Sequence, residues 1–172
     1  MKPYMQEKDI KAIEKLLQER KPKHVLEWGS GGSTIYFPQR APGLQLWESI
    51  EHDKEWADKV AAHPDLDSKA KVIFRTGAYA NGYLTKASIQ KADLIIIDGT
   101  EREACAKATF ANMRSTALVL VHDAGRLAYH KWFSIFPYAQ RLTKGRVPDE
   151  KGGFKRDGLM LFAKHPLGAH RE

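Results

Sequence analysis

The sequence predicts an α/β fold in which a mostly parallel sheet is wound with helices on both faces. Three observations carry this expectation. Residues 93–98 and 117–121 are continuous aliphatic runs without alternation, as in strands buried on both faces. Strand-like segments alternate with helical patterns of about 10 to 15 residues, which implies right-handed crossovers. A glycine-rich turn follows the first strand directly, and that turn is where open α/β sheets anchor ligands.

Each element has a local reason. Ile10, Ile13, Leu16 and Leu17 recur at helical spacing, so 6–20 reads as an amphipathic helix that Pro22 ends. His24 to Trp28 is the first strand and runs into Gly29-Ser30-Gly31-Gly32-Ser33-Thr34, with a short helix stopped by Pro38. Residues 44–51 form a second strand, and Asp53 caps a helix carrying Trp56, Val60 and Ala61 on one side. Residues 71–75, 93–98 and 117–121 are strands three to five, with a helix over 101–113. After the fifth strand a helix near 126–135 leads to strand-like stretches at 138–142 and 159–163. With no helix between them they must pair antiparallel, so the seven-stranded sheet should end in a hairpin. The glycine- and charge-rich stretch 144–157 reads as a loop.

At 172 residues and 42% hydrophobic, the chain suits one domain with a real core. Cys105 is the only cysteine, so neither an internal disulfide nor a cysteine-rich zinc site is available, and its place among alanines makes it a core residue. The longest aliphatic runs are far shorter than the roughly 20 residues that span a bilayer. The first nine residues lack the apolar stretch of a secretory signal, so the expected compartment is the cytoplasm. The net charge is +7, and +6 of it lies in the last 49 residues. That half either keeps the surface solvated or attracts an anionic partner, nucleic acid included.

In such a sheet the chemistry gathers beyond the carboxyl ends of the strands. This places Glu27 to Thr34, Glu51, Asp98 and His122-Asp123 together. Glycines at 29 and 31 admit close backbone approach, and Glu51 lies 20 residues past Gly31, where a carboxylate can accept both hydroxyls of a ribose. Thr34 stands where a dinucleotide fingerprint wants Gly or Ala. Glu27 would repel a pyrophosphate but could pair with an ammonium group. The ligand these residues describe is an adenosine joined to an amino acid.

Val25-Leu26-Glu27-Trp28-Gly29-Ser30-Gly31-Gly32-Ser33-Thr34 resembles the first motif of class I S-adenosylmethionine-dependent methyltransferases, Ser49 to Asp53 their acidic second motif, and Asp93 to Gly99 their fourth. The first two motifs also resemble those of small O-methyltransferases of the plant glucuronoxylan kind. The resemblance implies a Rossmann-like domain over 1–172: an N-terminal helix in 1–22, a cofactor-binding part in 23–123, and a substrate-side helix and C-terminal hairpin in 124–172. It implies that Gly29, Ser30, Gly31, Ser33 and Thr34 wrap S-adenosyl-L-methionine with Glu27 near its ammonium group. Glu51 would hold the ribose, His52, Gly77 and Ala78 would border the adenine, and Asp98 would stand beside the methyl group.

The reacting end follows from the fifth strand. His122 and Asp123 are polar residues closing an apolar strand, and a histidine there could take the proton of an acceptor hydroxyl. Arg126 is placed to clamp a carboxylate or phosphate. Tyr129, Trp132, Phe133 and Phe136 either stack on an acceptor or pack the last helix. Metal-dependent relatives carry an Asp-Asn pair after strand five, where this chain has His122-Asp123. A divalent cation on Asp98, Asp123 and Glu101 is thus the less favoured expectation. Asp98-Gly99-Thr100-Glu101 replaces the Asn-Pro-Pro-Tyr kind of motif of amino-methylating DNA enzymes, which makes oxygen the expected acceptor atom. The expected substrate is small or sugar-like, with an anionic group as the basic half suggests. A homo-oligomer in which a partner subunit forms the lid is compatible with so small a domain. The rival readings are a nicotinamide-dependent oxidoreductase and a nucleic-acid-binding or nucleic-acid-modifying protein of the same fold.

Overall fold

A computed structural model describes residues 1–75, 86–144, 147–148, 154–155 and 158–167. Its elements in chain order are α1 (Glu7–Arg20), β1 (His24–Trp28), α2 (Gly32–Tyr36), a 3-10 turn (Pro38–Arg40), β2 (Leu46–Glu51), α3 (Lys54–Ala61) and β3 (Ala70–Phe74). They continue as α4 (Lys86–Lys91), β4 (Leu94–Ile97), α5 (Arg102–Asn112), β5 (Leu118–Val121), α6 (Leu127–Phe133), β6 (Tyr138–Arg141), β7 (Val147–Pro148), β8 (Phe154–Lys155) and β9 (Met160–Ala163). Seven strands form one sheet in the order β3-β2-β1-β4-β5-β9-β6, while β7 and β8 pair separately. The first five strands of that sheet are parallel. β9 runs antiparallel to both β5 and β6, so the closing hairpin inserts its second strand beside β5. Helix α4 is the one element of this core that the sequence pattern did not reveal.

Alternation along each central strand sorts side chains into two cores. Leu26, Trp28, Ile95, Ile97, Val119, Val121 and Phe162 face one side, where Cys105, Ala106 and Trp132 from α5 and α6 cover them. Val25, Leu94, Ile96, Leu120 and Leu161 face the other, under Ile10, Ile13, Leu16 and Leu17 of α1. Both faces of β1, β4 and β5 are therefore dry, and this is why their sequences show no polar alternation. The edge strand β6 is exposed at every residue and carries Gln140 and Arg141, which discourage pairing with another edge. Among the described residues no helix is long and apolar enough to cross a membrane.

The register determines where the strands stop. Trp28 pairs with Ile50 on one side and Ile97 on the other, and Ile97 pairs with Val121. Gly29, Glu51, Asp98 and His122 thus leave the sheet side by side. At the opposite end Asp93 fastens the start of β1: its carboxylate accepts the backbone N–H groups of Lys23 (2.8 Å) and His24 (2.9 Å) and pairs with Arg114. Burial pushes the Asp93 carboxyl up, but these donors outweigh it and hold it below the usual carboxylate range. Because its folded pKa is depressed, its contribution to stability is present at neutral pH and fades as pH falls through that lowered value. Asp93→Ala is expected to cost about 1–2 kcal/mol at pH 7. Urea unfolding should show this gap between variant and wild type narrowing toward strongly acid pH.

Candidate active site

The strand exits carry two hydrogen-bonded assemblies, one on the glycine turn and one on β4 and β5. The turn is organised from beneath by Glu27, whose side chain is fully buried. Its carboxylate accepts Ser33 Oγ, Thr34 Oγ1 (2.8 Å), Trp47 Nε1 (2.9 Å) and Ser49 Oγ (2.5 Å). Burial raises its pKa, and the Ser33, Ser49, Trp47 and Thr34 donors pull it partly back. Glu27 therefore ties the hydroxyls of Ser33 and Thr34 in the turn to β1. Thr34 Oγ1 also accepts the Gly31 N–H at 3.0 Å, which gives this residue a purpose at a position where Gly or Ala would offer no hydroxyl.

Gly29 has φ +94°, and a Cβ there would lie 2.9 Å from the Gly99 Cα, so the β1 and β4 exits touch backbone to backbone. Gly31 is different: a Cβ would meet nothing nearer than the Trp56 ring at 3.7 Å. Trp56 Nε1 donates to the Ser30 carbonyl (2.8 Å), and Glu51 accepts the Ser30 N–H (2.9 Å) and Oγ (3.2 Å). The other Glu51 oxygen accepts the His52 and Asp53 N–H groups (2.8 and 3.0 Å) and lies 2.7 Å from His52 Nδ1. A ribose diol fits Glu51 if it takes the places of the Ser30 hydroxyl and the half-exposed His52 ring, since both side chains can rotate away while the backbone bonds persist. Gly77 and Ala78 lie outside the described residues. The helix after the turn is only five residues long, and Lys2 and Pro3 press on its first residue, Gly32.

The second assembly turns on Arg102, only 7% exposed at its side chain. Its guanidinium donates to the Gly99 carbonyl (2.8 Å), the His122 carbonyl (2.5 Å) and the Asp98 carbonyl and Oδ1 (both 3.1 Å), and stands 3.6 Å from Asp123 Oδ2. Asp98 Oδ1 also receives His122 Nδ1 at 2.9 Å. Asp98 Oδ2 carries no hydrogen bond among the described residues, and the side chain keeps 23% of its surface open. Asp123 sits in the left-handed region at φ +55° and pairs with Arg126. Tyr129 lies under both guanidinium groups, 5.2 Å from Arg102 and 5.7 Å from Arg126, and its hydroxyl accepts Arg126 Nη1 at 3.3 Å.

His122, expected to face an acceptor hydroxyl, is enclosed by carboxylates. Its side chain is only 6% exposed, Nδ1 faces Asp98, and Nε2 faces Asp9 of α1 at 3.8 Å, so neither nitrogen is presented to an incoming hydroxyl. Desolvation lowers the ring's pKa, but the bond to Asp98 and the charges of Asp98 and Asp123 outweigh it and the pKa is raised. Trp132 and Phe136 are buried, and with Phe133 they pack against Phe162 or one another, which leaves Tyr129 as the aromatic at the site. Cys105 is buried and its thiol pKa is pushed up to about 12, first by desolvation. Among the described residues no group of three or more His, Cys, Asp or Glu side chains is arranged to hold a metal ion. Asp98 and Asp123 are engaged by guanidinium groups instead.

Sequence reasoning missed Arg102, Asp9 and Trp56. Arg102 shares the spacing of Cys105, Ala106 and Thr109, the buried face of α5, and Asp9 shares that of Ile13, Leu16 and Leu17 on α1. A charged residue in register with an apolar stripe was the available signal. A groove of about 640 Å³ opens at the other end of the sheet, between Arg20, Lys23, Asp93, Arg114 and His165. It touches none of the strand-exit residues.

Neither a protein-family profile nor a curated protein matches the sequence. Solved structures do share its architecture. Cofactor-bound Rv0187 from MTB is 18% identical with a TM-score of 0.69, over 95% of this chain and 84% of that one. An O-methyltransferase from Bacillus cereus in complex with SAH is 17% identical with a TM-score of 0.67, over 94% and 84%. Spermidine synthase from Thermotoga maritima is 19% identical with a TM-score of 0.55, over 84% of this chain and 54% of that one. The fold is the Rossmann-like fold of class I methyltransferases, as the motifs predict. Because a spermidine synthase shares it, the chemistry must be argued from the site.

Gly29→Ala tests the junction of the two assemblies. The new methyl group would strain a positive φ and collide with backbone that cannot yield, so a loss on the order of 1–3 kcal/mol is expected in thermal or urea unfolding. Gly31→Ala, which meets only an indole edge, should cost far less.

Proposed function

We propose that the chain is an S-adenosylmethionine-dependent methyltransferase acting on a hydroxyl oxygen of a small or sugar-like acceptor. The observation that supports this most is Asp98: one carboxylate oxygen is clamped by Arg102 and His122 and the other has no hydrogen bond among the described residues, directly beside the Gly29–Gly99 contact. The turn residues Gly29, Ser30 and Gly31 with Glu51 would hold the cofactor, which when bound supplies an electrophilic methyl group on a sulfonium. Displacement at such a methyl needs alignment more than strong base. Asp98 Oδ2 accepts the hydrogen bond of the acceptor hydroxyl, receives its proton and releases it to water. Arg102 and His122 keep the carboxylate from turning away, and Tyr129 offers a face for the acceptor to rest on.

The basic C-terminal part inclines the acceptor toward an anion, and Arg126, 43% exposed, is the guanidinium within reach of the site. One edge of it is held by Asp123, so an anionic group would share that arginine rather than own it. Acceptor affinity should therefore fall gently with added salt, as for a single carboxylate, without the steep slope of a nucleic acid.

Calorimetry is expected to show binding of S-adenosylmethionine and none of NAD. Glu51→Ala should weaken it at least about tenfold through lost ribose hydrogen bonds. Undiminished affinity in that variant would remove Glu51 from the site. With an acceptor found by transfer of labelled methyl groups, Asp98→Asn should leave cofactor affinity nearly unchanged and lower turnover by about 10² to 10⁴. Full turnover by Asp98→Asn would refute the proton assignment.

A further inference from the structure

Asp9 is the unexplained group of the molecule. It lies in the first turn of α1, 113 positions before His122 in sequence, yet its side chain is fully buried against the strand exits. Thr143 Oγ1 donates to its Oδ1 at 2.5 Å and the Gly158 N–H to its Oδ2 at 3.4 Å. The same Oδ2 stands 3.8 Å from His122 Nε2, a fully buried nitrogen without a hydrogen-bond partner among the described residues. Among the described residues the groups facing the ring are Asp98 and Arg102 after β4, Asp123 beside it, and Asp9 from α1. Three carboxyl groups surround one imidazole and one guanidinium donates to its backbone carbonyl.

We propose that Asp9 is a positioning residue of the active site: standing 3.8 Å from Nε2 while Asp98 holds Nδ1, it favours the imidazolium form of the His122 ring, which braces the Asp98 carboxylate. His122 then never takes a proton from substrate. Its work is to hold Asp98 Oδ1 so that Oδ2 stays turned to the acceptor. An aspartate in the first helix thereby controls a carboxylate after the fourth strand, through a histidine after the fifth. This inference rests on the methyltransferase reading for its kinetic consequences but not for the ionisation of His122 itself.

The sign of the pH effect separates the two roles open to the histidine. If the working form is the imidazolium, activity is present below the folded pKa of His122 and lost as pH rises through it. Asp9→Asn takes the carboxylate from beside Nε2, so it should move the alkaline limb of the turnover profile to lower pH. Were His122 a base, the same substitution would move the acid limb down instead. Thr143→Val controls for packing, since it removes the hydroxyl that holds Asp9 and leaves the charge; it should lower stability while both limbs stay in place. Nitrogen-15 spectra of the imidazole ring, recorded against pH on full-length wild type and both variants, report the ionisation without any substrate. A lower ring pKa in Asp9→Asn alone, with the alkaline limb following it, supports the proposal. An unmoved ring pKa, a shifted acid limb, or an equal shift in Thr143→Val overturns it. If no acceptor is ever methylated, the function proposed above fails while the ring titration still decides the place of Asp9.

Discussion

A guanidinium cannot be buried without compensation, and the strand-exit half of this molecule is arranged to provide it. Arg102 reaches under the ends of β4 and β5 and donates to three backbone carbonyls as well as to Asp98. Those carbonyls belong to residues that have just left the sheet, where ladder partners run out. The arginine substitutes for the missing strand and fixes the path by which Asp98 and His122 emerge. Removal of the cation would leave Asp98 and Asp123 close to each other without the charge between them. The charges balance on a small scale: Asp9, Asp98 and Asp123 stand against Arg102, Arg126 and a histidine whose pKa is raised.

The glycine turn solves a related problem by other means. Glu27 is as buried as any residue of the core, yet among the described residues no cation pairs with it. It is held by three hydroxyls and an indole, each a neutral donor. Neutral donors offset less of the burial cost than a charge would, which accords with its raised pKa. The arrangement leaves the turn without a full positive charge of its own. A phosphate would find little to pair with there, whereas a ligand recognised by its hydroxyls would find Glu51. The two assemblies meet where Gly29 touches Gly99, so the neutral hydrogen bonds of the turn and the charged ones around Asp98 share one backbone contact.

Much of this was legible in the sequence because the period of the side chains carries it. The unalternating runs at β4 and β5 gave the buried parallel strands, and the hairpin followed from the absence of a helix between Tyr138 and Ala163. The turn residues and Glu51 stood out because their types and spacing are tied to local backbone geometry. What stayed hidden was long-range. That Glu27 would be sealed beneath Ser33 and Ser49 depends on Trp47 crossing from β2. That His122 would be enclosed depends on α1 delivering Asp9 from the far end of the chain. Helix α4 is too short, with Ile89 as its single buried residue, to leave an amphipathic stripe.

The enclosure of His122 changes what kind of site this is. A histidine that gives and takes protons must be reachable from the site and free to rotate or relax as its charge changes. Here the ring is wedged between carboxylates on separate elements, so a change in its charge would be felt by α1, by β5 and by the segment after β4 together. Under the proposal above such a ring works as a fixed support, and the proton passes at the neighbouring aspartate. One oxygen of Asp98 is doubly held, and the tighter the hold on it, the better defined the direction of the other. For a reaction limited by alignment, as the proposed methyl transfer would be, that directional constraint is what a buried histidine could contribute without touching the substrate.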